Sequence, residues 1–87
     1  MRTDYSADYR IAVCSIGLMA EQELLRAIDR FAPMHSPHEG IAVIEEEYLE
    51  LREHVHGNTG RSVDAIAEAV QLAAMAMRYV LDLRGRS

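Results

Sequence analysis

The sequence predicts an all-α protein, a short bundle of three main helices completed by oligomerisation. Two clusters of turn residues, Ala32-Pro33-Met34-His35 and Gly57-Asn58-Thr59-Gly60, cut the chain into three segments. Each segment carries apolar residues at helical spacing. Hydrophobic residues make up 49% of only 87 positions. A domain so short buries a modest fraction of its surface and is marginally stable alone, so part of that apolar surface is expected to meet other chains.

The first segment is read as a helix over residues 20–31, with Leu24, Leu25, Ile28 and Phe31 on one stripe. Residues 1–19 are set apart as an N-terminal extension, and residues 20–87 as the helical domain. The upstream run YRIAVCSIG reads as a helical extension or a short strand. Helix is preferred because no second strand is available to pair with it, although Gly17 weakens continuity. The second segment opens with Ser36-Pro37-His38-Glu39, a capping box. Ser36 caps, Pro37 takes the first helical position, and Glu39 is placed to reach back to the Ser36 amide. That helix runs to about His56, with Gly57 as its stop. Its apolar stripe is Ile41, Ile44, Tyr48, Leu51 and Val55. The third segment, about 62–83 with Ser62 as cap, is apolar over most of its circumference. Its polar residues fall on one line: Asp64, Glu68, Gln71, Arg78 and Asp82. A helix apolar nearly all round is buried on most sides, and two short helices of the same chain cannot cover it. Its many alanines permit close helix approach.

Charge and residue usage exclude several classes of function. The net charge is −5, and all nine basic residues are arginine. Sequence-independent nucleic-acid binding needs clustered positive charge and is not expected. A polyanionic substrate would be repelled unless a divalent cation bridged it to the carboxylates. Without lysine there is no Schiff-base or P-loop lysine chemistry. Cys14 is the single cysteine, which rules out an intrachain disulfide and paired-cysteine zinc sites and makes the reducing cytoplasm the default compartment. Cys14 itself is expected to be a small buried residue. The apolar run Ile11 to Ala20 is too short to span a bilayer, so no membrane partner is expected. Asp4 and Asp8 before it, and the lack of a small-x-small site after it, argue against a signal peptide.

On a helical wheel, Glu46, Glu47 and Glu50 fall within about one third of the second helix's circumference, with Glu39 in line with Glu46. Such hard oxygen ligands suit magnesium or manganese. The competing reading is a solvated acidic face, since these acids lie largely opposite the apolar stripe. On the third helix, Glu68 and Gln71 sit one turn apart on the only polar line. If that helix is buried, the line needs partners, because unpaired buried polar groups are costly. The acidic face of the second helix could supply them through a shared metal. The alternative is a seam that points to water.

The stretch HSPHEGIAVIEEEYLELREHV, followed by EAVQLAAMAMRYVLDL, resembles the MazG-like nucleotide pyrophosphohydrolases, in particular small members from phages and bacteria. The resemblance spans about residues 20–83. Glu46, Glu47 and Glu50 match the family's EExxE, and Glu68 matches the glutamate of its ExxD. The resemblance implies an all-α, magnesium-dependent enzyme that cleaves a nucleoside triphosphate, ribo or deoxy, between its α and β phosphates. It implies Glu47 and Glu50 as catalytic residues, with Glu46, Glu47, Glu50 and Glu68 as ligands of Mg2+ or Mn2+. It further implies homodimers or homotetramers. Gln71 departs from the family, standing where the pattern has aspartate; a neutral amide can coordinate but removes one negative charge. Asp64, one turn before Glu68, is the candidate to compensate. Gln71 also keeps open a second reading, a non-catalytic helical oligomer or adaptor that has lost full metal competence. Arg78 is a candidate phosphate contact, weighed against pairing with nearby acids, the more frequent fate of such an arginine in an acid-rich chain. Arg52 and Arg61 read as surface residues. His35, His38, His54 and His56 read as structural or exposed, because they lack the i, i+4 placement of a helical metal site. Met75 and Met77 read as packing residues.

Overall fold

The computed structural model describes residues 7–84 as three helices: α1 (Ala7–Arg30), α2 (Pro37–His56) and α3 (Val63–Leu83). Local chemistry sets their ends. At α2, Ser36 Oγ accepts from the Glu39 amide at 3.1 Å. The reciprocal bond lands one residue earlier than expected: Glu39 Oε1 accepts from the His35 amide at 3.2 Å. At α3, Ser62 Oγ accepts from the Ala65 amide at 3.1 Å. Gly57 does end α2, but the left-handed residue of that turn is Asn58, with φ 63°. Asparagine tolerates this region better than other non-glycine residues.

α1 runs unbroken through Gly17 and across the expected boundary between residues 19 and 20. The upstream run is therefore helix where the structure describes it; residues 1–6 lie outside the described residues. Ala20 is buried, whereas residues 8–19 are exposed. Cys14, expected to be buried, is among the exposed ones, because neither α2 nor α3 covers it among the described residues. No helix among the described residues is long and apolar enough to cross a membrane.

α3 lies at the centre and packs on both α1 and α2, which do not pack on each other among the described residues. The α2–α3 crossing is close: a Cβ on Gly40 would sit 2.6 Å from Tyr79 Cδ2. On the other side, small residues Ala20 and Ala27 of α1 are buried, while Leu25, Ile28 and Phe31 of the expected stripe stay exposed. The C-terminal turn of α1 is tied down by α3. Arg78 donates from its two terminal nitrogens to the carbonyls of Ala27, at 3.0 Å, and Phe31, at 2.7 Å. Its Nε donates to Asp82 Oδ2 at 3.1 Å, and the same oxygen accepts from the Met34 amide at 2.8 Å. A buried cation thus sits at the C-terminal end of α1, where it suits the helix dipole.

The helix faces are turned relative to the sequence expectation. α2 presents Gly40, Ile44, Glu47, Leu51 and His54 inward, while Tyr48 and Val55 of the expected stripe are 49% and 54% exposed. The polar line of α3 likewise faces inward rather than to water: Glu68 and Gln71 are half-buried, Arg78 and Asp82 buried, and only Asp64 is exposed. The outer face of α3 carries Ile66, Ala73, Met77 and Val80, all exposed. No large side chain among the described residues is fully buried, and the buried apolar set is Ala20, Ala27, Met34, Ala65 and Ala74.

Candidate metal centre

Turning Glu47 into the α2–α3 seam brings it against Glu68. One carboxylate oxygen from each of Glu46, Glu47 and Glu50 lies within 4.8 Å of the other two. Glu46 and Glu50 are exposed, and Glu47 is half-buried. Across the seam, Glu68 of α3 stands beside Glu47. Glu47 Oε2 and Glu68 Oε2 are both buried and have no hydrogen-bond partner among the described residues. Burial pushes the Glu47 carboxyl up from 4.5 to about 7, with further upward contributions from the charges of Glu50 and Glu68, the close approach of the Glu68 carboxyl, and the charge of Glu46. Buried carboxylate oxygens without a partner need either a proton or a cation beside them. An all-oxygen donor set of this kind fits Mg2+ or Mn2+.

Two cavities flank the group. A shallow one of about 350 Å³ is lined by Glu50, Glu53, His54, Thr59 and Glu68. Here Thr59 Oγ1 donates to the His54 carbonyl at 3.1 Å, and His54 Nδ1 lies 3.0 Å from the same hydroxyl. With the hydroxyl proton committed to the carbonyl, Nδ1–H is the donor to Oγ1. His54 is thus half-buried beside two of the acids. The missed signal is its position one turn after Glu50, on the face that also holds Glu47 and Leu51.

The second cavity, about 470 Å³, is a groove over α3 between α1 and α2. Glu46 and Glu47 form its α2 wall, Gln71, Met75 and Arg78 its floor, and Arg26, Arg30 and Phe31 its α1 wall. Gln71 thus lies on the Glu46–Glu47 side of the acids, whereas Asp64 lines neither cavity. Arg78 reaches the groove but commits its donors to Asp82 and two carbonyls, as the pairing reading expects. Arg52 and Arg61 are exposed. Comparison with protein-family models, with curated proteins and with solved structures finds no match to this chain.

Proposed function

We propose that the protein is a MazG-like, magnesium-dependent nucleoside triphosphate pyrophosphohydrolase that converts a ribo- or deoxynucleoside triphosphate and water into the monophosphate and pyrophosphate. The observation that carries this reading is that Glu47, clustered with Glu46 and Glu50 on α2, and its neighbour Glu68 on α3 each hold a buried carboxylate oxygen without a partner among the described residues. Those four carboxylates would hold the metal, with Gln71 one turn from Glu68 able to add only a neutral amide oxygen. Bound there, Mg2+ would polarise phosphoryl oxygens and neutralise the departing pyrophosphate. Glu47 and Glu50 would orient water and metal towards the α phosphorus, which is where positioning contributes most. Arg78 serves the fold in this reading rather than the substrate. The active form is a homodimer or homotetramer, in which a second copy covers the outer face of α3.

The test is pyrophosphate release from a panel of nucleoside and deoxynucleoside triphosphates with Mg2+ or Mn2+, with Glu47→Gln as control. Pyrophosphate rather than inorganic phosphate is expected from the wild-type chain, with at least about a hundredfold loss in the variant, the scale reached when a positioned catalytic group is removed. A folded, oligomeric protein that releases nothing from any nucleotide would favour the non-catalytic helical assembly that the neutral Gln71 already suggests.

A further inference from the structure

We propose that Arg30, with Arg26 one turn before it, binds the phosphate groups of a metal-bound polyphosphate in the groove between α1 and α2. This rests on the reading of Glu46 and Glu47 as metal ligands. The α1 wall of the groove carries Arg26, Arg30 and Glu23, the last paired with Arg26, which leaves Arg30 as its unbalanced charge, and the α2 wall carries the acids Glu39, Glu46 and Glu47. The two helices do not pack on each other, so α3 holds the walls apart. A ligand that carries a cation on one side and anionic oxygens on the other satisfies both at once. A metal-bound polyphosphate has that character, and the groove's volume of about 470 Å³ is within the usual range for a small-molecule site.

The ordinary explanation for an arginine in the last turn of a helix is compensation of the helix dipole. At α1 that role is already filled by Arg78, which donates to the carbonyls of Ala27 and Phe31. Arg26 pairs with Glu23. Arg30 has no ion-pair or hydrogen-bond partner among the described residues, in a chain with 14 acidic side chains. The guanidinium fork is suited to hold adjacent phosphate oxygens.

The experiment is calorimetric titration of the full chain with inorganic pyrophosphate in the presence of Mg2+, and separately with Mg2+ alone. Arg30→Gln is expected to weaken pyrophosphate binding at least about tenfold, the scale of a lost charge-assisted hydrogen bond. Mg2+ binding should stay unchanged and the helical circular dichroism intact. Arg30→Lys should recover part of the loss. Arg52→Gln, which makes the same change in net charge outside the groove, should leave pyrophosphate binding as it is. Unchanged affinity in Arg30→Gln, equal losses in Arg30→Gln and Arg52→Gln, or no pyrophosphate binding by the wild-type chain would each overturn the inference. Arg30-dependent pyrophosphate binding without any nucleotide hydrolysis would instead sink the enzyme reading and leave the phosphate site standing.

Discussion

At the scale of single residues, Glu47 decides most. In the metal-free chain its carboxyl is held at about 7 instead of 4.5, burial being the largest cause. Between those values the folded state keeps a proton that the unfolded chain has released. Folding stability must therefore fall as pH rises through that window, with the full penalty present above about 7. Metal-free protein is expected to show a melting temperature that drops from pH 5 to pH 8. Mg2+ should reverse most of the drop at pH 8 and do little at pH 5, where it competes with the proton. Glu47→Gln carries no charge to bury, so it should be the more stable protein at pH 8 without metal and should gain nothing from Mg2+. A wild-type melting curve that is flat with pH and indifferent to Mg2+ would contradict the assignment of Glu47 to a metal site.

At the scale of the helices, the α2–α3 crossing depends on Gly40. A Cβ there would lie 2.6 and 2.9 Å from the Tyr79 ring and 3.3 Å from Met34 Sδ. Overpacking of this kind costs about 1–3 kcal/mol. Against it stands the intrinsic helix preference of alanine over glycine, about 1 kcal/mol. Gly40→Ala is thus expected to destabilise the fold modestly in urea titration, and to turn stabilising once Tyr79→Leu removes the ring. A Gly40→Ala protein as stable as wild type in the Tyr79 background would show that the crossing is looser than described. The same elements mark what the sequence could reveal. The caps at Ser36 and Ser62 and both breaks are local chemistry, and they were legible. The buried face of α2 was legible only in Ile44 and Leu51, because a wheel ranks faces by apolarity alone. It therefore chose Tyr48 and Val55, whereas packing on α3 took Glu47 and His54, one position away. The cluster of Glu46, Glu47 and Glu50 could be listed from spacing; that Glu47 meets Glu68 with no partner for either inner oxygen depends on the α2–α3 register. Arg30 was illegible for a related reason. Its significance comes from Arg78, 48 residues later in the chain, already occupying the end of α1.

At the scale of the whole molecule, the chain buries an ion pair at its centre while it leaves many large apolar side chains exposed. Around α3, the charged Arg78 and Asp82 are buried while Ile66, Met77 and Val80 face out. The radius of gyration is 14.8 Å, against about 12 Å for a close-packed chain of this length. Each fully buried aliphatic side chain is worth about 1.5–3 kcal/mol. A single chain whose buried apolar set is four alanines and one methionine forgoes most of that gain. A second copy laid on the outer face of α3 would recover it, and the alanines there, such as Ala73, would let the helices approach closely. Sedimentation equilibrium should therefore return a mass that is a multiple of 9.8 kDa. The melting temperature should rise with protein concentration, because association stabilises the folded state by mass action. Met77→Glu places a charge in the centre of that outer face and should lower both the mass and the concentration dependence. If wild type instead sediments as a 9.8 kDa species and melts at the same temperature at every concentration, the outer face of α3 is not a self-association surface. The exposed stripe would then need a different partner to account for it.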